Sequence, residues 1–294
     1  MKILVTGGSG QLGSYLLEEL CDGHEVRSID IRMPSIECNK RLVSNVDIRD
    51  PVGAARACDG VEAVVHAAAQ VSVEKSIQDP RMDADVNVIG TLSMLKASAD
   101  ADVRKFVYIS SAAVYGDPRH LPVDEDHPKH PKSFYGVSKL AAEAYVQAFA
   151  ECRGLNYIIV RPFNFYSPRA DPKSPYSGVI TKFVERAKEG SPLLIEGDGE
   201  QTRDFIHAKD VARMIRMAVE SSARDVTLNC GSGQATSIND LAETLSALRG
   251  GLRIEHVKSR VGDIRHSVSD VTLAKKVLGF QSKITLEQGL SSFL

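Results

Sequence analysis

The stretch that most restricts the fold is ILVTGGSGQLGSYL, residues 3–16. A short apolar run passes through glycines straight into helical apolar spacing, which predicts a strand, a tight turn and a helix. Gly8, Gly10 and Gly13 fit G-x-G-x-x-G, and Gly7, Gly10 and Gly13 fit G-x-x-G-x-x-G. Glycine lets the backbone turn tightly, approach a pyrophosphate and pack the helix on the strand. The helix N-terminus adds N–H groups and a positive dipole end. Any turn can use glycine; the weight of this triplet comes from its place at the first βα junction. Asp30 follows the second apolar run, 17 residues past Gly13. A carboxylate there accepts hydrogen bonds from both adenosine ribose hydroxyls and repels a 2′-phosphate, which favours NAD over NADP. Arg32, close by, is the opposing feature.

The first half alternates. Val/Ile-rich runs at 2–6, 25–30, 61–66, 104–110 and 155–161 predict strands, and helical spacing marks 11–22, 81–99 and 135–153. This order predicts a parallel sheet covered on both faces, wound with right-handed crossovers and carrying its ligand at the strands' carboxyl ends. Residues 162–178 hold four of the twelve prolines and read as a linker or binding loop. Helical spacing resumes at 179–189, followed by the strand-like LLIEG. Next come a short strand running into a helix in RDFIHAKDVARMIRMAVE and a strand and turn at 227–233. The expected fold is α/β: a doubly wound parallel (Rossmann) sheet with a smaller mixed α/β C-terminal substrate lobe. Residues 1–165 plus about 203–230 form the dinucleotide domain; about 166–202 plus 231–294 form the lobe.

With 294 residues, 43% hydrophobic and 25% charged, the chain has the composition of a soluble globular protein. Its formal charge of −2 gives no reason to expect nucleic acid or an anionic membrane surface as partner. The five cysteines are odd in number, widely spaced and form no C-x-x-C, so they read as reduced thiols in a cytoplasmic protein, with no zinc site. MKILVTGG is too short for a signal peptide, and no apolar stretch has the length of a membrane span.

SFYGVSKLAAE, residues 133–143, places Tyr135 four residues before Lys139, one helical turn apart on one face. A phenol ionises near pH 10, and an ammonium close by favours the phenolate. Such a spacing also arises by chance, so the pair needs its surroundings. Those surroundings are TGGSGQLG, VDIRD (46–50), HAAAQVSV (66–73), SSAAVYG (110–116), YGVSK (135–139), RPFN (161–164), RDFIHAKDVA (203–212) and RVGDI (260–264), in that order. The series resembles the extended short-chain dehydrogenase/reductase family, in its NAD-dependent sugar epimerase/dehydratase branch, and is most similar to the UDP-glucose 4-epimerases.

The resemblance implies a catalytic set of Tyr135 as acid–base, Lys139 beside it and Ser111 as the hydroxyl partner, with Ser110 facing away. It implies NAD contacts from Gly7, Gly10, Gln11, Leu12, Gly13, Asp30, Asp47, Ile48, Ala67, Ala68, Ala69, Asn87, Tyr135, Lys139 and Pro162. It implies a nucleotide-sugar site, a UDP-sugar first, at Ser111, Asn164, Gly178, Val179, Arg203, Arg260, Asp263 and Ser267. Paired arginines suit a diphosphate through charge-assisted hydrogen bonds. Related dehydratases carry acids where this chain has Ala112 and Ala113, and alanine cannot protonate a leaving hydroxyl. C4 epimerisation is the expected reaction. Gly178 and Glu196 depart from residues that contact the base in many epimerases. Ser267 stands where a bulky tyrosine closes the pocket in glucose-only enzymes, which leaves room for an N-acetyl group. His66 and His207 read as structural. A homodimer through the helices near 81–99 and 135–153 is the implied assembly. The competing readings are a nucleotide-sugar dehydrogenase or reductase that releases reduced cofactor, and a silent NAD-binding sensor on the same fold.

Overall fold

The computed structural model describes residues 1–172, 178–259 and 264–293. The apolar runs become β1 (Lys2–Thr6), β2 (Glu25–Asp30), β3 (Val43–Asn45), β4 (Ala63–His66), β5 (Lys105–Ile109) and β6 (Tyr157–Pro162). Short strands β7 (Asn164–Tyr166), β8 (Leu193–Glu196), β9 (Thr202–Arg203) and β10 (Phe205–His207) precede β11 (Val226–Cys230), and β12 (Thr236–Ser237) and β13 (Ile254–Val257) follow it. The main helices are α1 (Gln11–Cys21), α2 (Pro51–Cys58), α3 (Val73–Gln78), α4 (Pro80–Ala84), α5 (Gly90–Asp100), α6 (Phe134–Arg153), α7 (Val179–Lys188), α8 (Ala208–Glu220), α9 (Ile238–Leu248), α10 (Thr272–Leu278) and α11 (Leu286–Ser291).

One seven-stranded sheet runs β11-β6-β5-β4-β1-β2-β3, every pair parallel. Strand order reverses between β1 and β4, so the loops leaving those two strands diverge and open a crevice at their carboxyl ends. Alternate residues feed opposite faces. Val5, Val107 and Val160 pack under Leu16, Leu17 and Leu20 of α1 and Val211, Met214 and Ile215 of α8. Leu4, Val64, Phe106 and Ile159 pack under Met94 and Leu95 of α5 and Ala142 and Val146 of α6. Burial on both faces is why these strands are unbroken Val/Ile runs. A separate core joins Phe183, Leu193, Ile195, Leu241, Leu245 and Leu290, around the parallel pair β8 and β13. Within 231–294, Ala274 and Phe280 pack with the α1–α8 layer, whereas Ile238, Leu241 and Leu245 belong to the smaller core.

The helix expected over 81–99 is interrupted. After α4, residues Asp85–Ile89 form one turn of π-helix before α5 begins. Such a turn inserts a residue and re-aims its side chains, and here it carries Asn87, which is buried. Three-residue β3 is too short to show periodicity. The α9 start did carry a sequence signal, because Ser237 and Asp240 form a capping box. No helix among the described residues is long and apolar enough to cross a membrane.

Candidate functional site

The glycine turn lies at the crevice. Gly7 has φ of 78°, and a Cβ there would stand 2.8 Å from the Ala68 backbone. The turn after β1 is thus laid directly against Ala67, Ala68 and Ala69 at the end of β4, and the Ala68 N–H donates to Thr6 Oγ1 at 3.0 Å. Gly10 N–H donates to Gly7 O at 3.0 Å, and a side chain at Gly13 would run into that same carbonyl. No side chain caps α1 and no acid occupies its first turn, so its N–H groups face the crevice side uncompensated. Asp30 is buried; one carboxylate oxygen accepts from Ser9 N–H (3.0 Å) and the other from Arg32 N–H (2.9 Å). An N–H-rich helix end beside a fixed carboxylate suits a dinucleotide: pyrophosphate at the first, ribose diol at the second.

The other expected cofactor residues divide. The Gln11 amide donates to Ser167 Oγ at 3.0 Å, tying the turn to the loop after β7. The Leu12 side chain packs in the α1–α8 core, so only its backbone faces outward chemistry. Ile48 is buried against Gly90. Asp47 pairs with Arg49 at 2.6 Å, and this hydrogen-bonded guanidinium holds its carboxyl below the usual range; Arg49 also reaches Asp85 at 2.8 Å. Pro162 ends β6, buried against Cys230 of β11.

Tyr135 and Ser111 come together at the carboxyl end of β5. Ser133 caps α6, its Oγ accepting from Gly136 N–H at 3.1 Å, which puts Tyr135 in the first turn. A Cβ on Gly136 would stand 2.7 Å from Ala113 O and 2.8 Å from Pro131, so glycine is what lets the 111–114 turn sit on α6. Ser111 Oγ accepts from Ala113 N–H (3.1 Å) and lies within reach of the Tyr135 hydroxyl. Burial pushes the Tyr135 phenol up to about 12; the Ser111 hydrogen bond pulls it down, and the Asp83 charge adds to burial. Ser110 instead donates to Glu143 in the interior. Lys139 is buried one turn on from Tyr135, its ammonium donating to Ile109 O at 2.6 Å and lying 4.7 Å above the Tyr108 ring. Burial lowers it to about 8, against the raising effect of Glu143 and Asp83.

Around this centre Asn87, His66 and His207 were singled out from sequence, whereas Arg161 and Glu143 were not. Asn87 donates to Gln70 O (3.0 Å), Asp83 Oδ1 (3.2 Å) and Ser138 Oγ (3.1 Å), and accepts from Gln70 N–H (2.8 Å). Arg161 and Glu143 form a buried bidentate pair (2.9 and 2.7 Å), and Arg161 also reaches the Tyr115 hydroxyl at 2.8 Å. The signal available was charge inside apolar runs, YIIVRP and KLAAEAYV. His66 spans Thr6 Oγ1 (2.8 Å) and Thr91 Oγ1 (3.0 Å), and burial lowers it to about 3, so it stays neutral. His207 caps α8 through Nδ1, which accepts from Lys209 N–H.

On the substrate side, Asn164 is exposed in β7 and its N–H donates to Asp204 O (3.0 Å). Arg203 lies in β9 and donates to Thr202 O (2.8 Å). Ser267 is half-buried next to it, its N–H donating to that same carbonyl at 3.2 Å. Gly178 precedes Val179, the first residue of α7, and a side chain at 178 would meet nothing within 4 Å. Arg260 and Asp263 lie outside the described residues.

Residues 3–231 match the sequence profile of the NAD dependent epimerase/dehydratase family. The chain is 37% identical over 296 residues to a putative UDP-glucose 4-epimerase of Methanocaldococcus jannaschii, covering 98% of this chain and 95% of that one. Its fold matches the UDP-glucose 4-epimerase of Thermotoga maritima solved with UDP-glucose, at a TM-score of 0.94 and 35% identity, over 100% and 97% of the two chains. It also matches the UDP-N-acetylglucosamine 4-epimerase of Methanobrevibacter ruminantium solved with UDP-N-acetylmuramic acid, at 0.94 and 30% identity, over 99% and 96%.

Proposed function

The chain belongs to the NAD dependent epimerase/dehydratase family, and we propose that it is a 4-epimerase of UDP-glucose and UDP-galactose that also accepts their N-acetylated counterparts. The observation that carries this reading is the Ser111–Tyr135 pair flanked by Ala112 and Ala113. Tyr135 takes the proton of the sugar C4 hydroxyl and later returns one to the same oxygen, while Ser111 fixes the direction of that oxygen. When bound, NAD supplies the hydride exchange at C4 and a positive charge beside the phenol. Bringing Tyr135 from about 12 to neutrality needs roughly 7 kcal/mol, so desolvated positive charge near the phenol is indispensable. Ala112 and Ala113 offer no acid to expel a hydroxyl, which leaves rotation of the ketone and its reduction from the other face.

Asp30 accepts the ribose diol, the Gly7–Gly13 turn takes the pyrophosphate, and Asn164, Arg203, Arg260 and Asp263 hold the substrate diphosphate and ribose. The UDP-sugar ligands of similar structures support the nucleotide class. Small, half-buried Ser267 supports entry of the N-acetyl group. Exposed Val73, Ile77, Ile89, Phe134, Val137 and Tyr145 on α3, the π turn and α6 support a homodimer. Five free cysteines support a reducing, cytoplasmic setting.

The test is incubation of the purified protein with UDP-glucose, UDP-N-acetylglucosamine and a thymidine counterpart. C4-inverted product without accumulation of reduced nicotinamide is expected for both uridine sugars. Stoichiometric reduced cofactor would make it a dehydrogenase instead. Ser267→Tyr is expected to depress the N-acetyl activity selectively; an unchanged ratio of the two sugars removes the pocket assignment.

A further inference from the structure

Asp83 is a charged side chain that neither the glycine turn nor the Ser111–Tyr135 pair accounts for. It lies in α4, is 0% exposed, and packs against α6. Its Oδ1 accepts from the Gln70 amide at 2.8 Å and from Asn87 Nδ2 at 3.2 Å. Its Oδ2 is buried with no hydrogen-bond partner among the described residues. Leaving half a carboxylate without a donor costs about 1–3 kcal/mol or more, and a fold that only needed an acceptor there could use an amide. One of Asp83's neighbours leads to the backbone of Tyr135, the other to the loop after β4. Asn87 also donates to Ser138 Oγ, and Ser138 donates to the Tyr135 carbonyl oxygen at 3.0 Å. Gln70 in turn positions the loop that carries Ala67–Ala69.

We propose that Asp83 is a positioning residue of the Tyr135–Lys139 centre, a buried counter-charge against which both groups exchange protons. This rests on the acid–base reading of Tyr135. The charged and titratable groups facing that centre are Lys139 and Glu143 from α6, Asp83 from α4, Tyr108 from β5 and neutral His66 from β4, with the Ser111 hydroxyl from the 111–114 turn. Glu143 is committed to Arg161 and Ser110. Asp83 is therefore the carboxylate here that forms no ion pair among the described residues, its donors being the Gln70 and Asn87 amides. A negative charge in this place adds to Glu143 in favouring protonated Lys139 against burial, and it makes Tyr135 release its proton reluctantly. The phenol then stays a competent acid for the return step.

Asp83→Asn keeps the shape and the acceptor for Gln70 and Asn87 while removing the charge. Tyrosinate formation is followed by ultraviolet difference titration of the dinucleotide-bound protein, with Tyr135→Phe as the blank that isolates Tyr135. The Tyr135 midpoint is expected to fall by about 1 pH unit in Asp83→Asn, and both limbs of the pH profile of kcat/KM move to lower pH. An unmoved midpoint overturns the assignment, as does a lowered kcat with unshifted limbs, which is what a purely structural role would give. Asp83→Ser is the second neutral variant, and it must move the midpoint in the same direction. Failure of the Asn variant to fold also counts against the proposal, since it would assign the charge to the fold. The titration needs no turnover, so a protein that epimerises nothing still yields a Tyr135 midpoint.

Discussion

Tyr135 and His66 show one physical cause acting in opposite chemical directions. Burial disfavours charge, so it raises the phenol to about 12 and lowers the imidazole to about 3. For Tyr135 the consequence is catalytic. Tyr135→Phe removes the proton-transfer oxygen and little else, so kcat is expected to fall about a thousandfold or more with bound dinucleotide unchanged. Near-normal turnover would take Tyr135 out of the chemistry. For His66 the consequence is stability. The folded imidazole stays neutral down to about 3, whereas a free imidazole titrates near 6.5. Between these values the unfolded chain binds the extra proton, so stability is present above about pH 6.5 and is lost as pH falls toward 3. From pH 6.5 to 5 the wild type is expected to lose about 1.5 kcal/mol more than His66→Gln in urea titrations. Parallel losses in the two proteins would contradict the assignment. The types and spacing of Tyr135, Lys139 and Asp30 were readable from the chain. The partners of Lys139 were not: its ammonium turns to Ile109 O and the Tyr108 face, 30 and 31 residues away.

Among the elements, α6 and the 111–114 turn together make the centre, and Gly136 sets how closely they approach. Gly136→Ala should preserve the helix, since alanine is the better helix former. The new Cβ would press on Ala113 O at 2.7 Å and Pro131 at 2.8 Å. Separation of Ser111 from Tyr135 is expected to lower kcat about tenfold or more, with overpacking costing about 1–3 kcal/mol. Wild-type kcat in that variant would show that the approach is not needed. The π turn at Asp85–Ile89 illustrates what helical spacing hides. Apolar residues across 81–99 recur as in one continuous helix, yet an inserted residue carries Asn87 into the interior, where four hydrogen bonds hold it. Periodicity averages over turns and does not register one extra residue.

For the whole molecule, the two sheet faces are covered by this chain's own helices, but α3, the π turn and α6 leave an apolar surface open. Val73, Ile77, Ile89, Phe134 and Val137 are each 42–59% exposed. Burying such a surface against a second copy is expected to give a dimer at micromolar concentration by sedimentation velocity, and Val137→Glu should shift it to monomer. A monomeric wild type would refute this. The alternation of short apolar runs with helical segments, the glycine turn at the first junction and the tyrosine–lysine step were all legible along the chain. Each is a relation between residues within a turn or one βα unit, and backbone geometry alone gives such relations meaning. Other features came from packing: that Arg161 closes on Glu143, and that Asp83 is buried without an ion pair among the described residues. Both are settled between elements, the first across 18 residues of chain. They depend on how helices settle on a twisted sheet and on which polar groups burial forces to find one another.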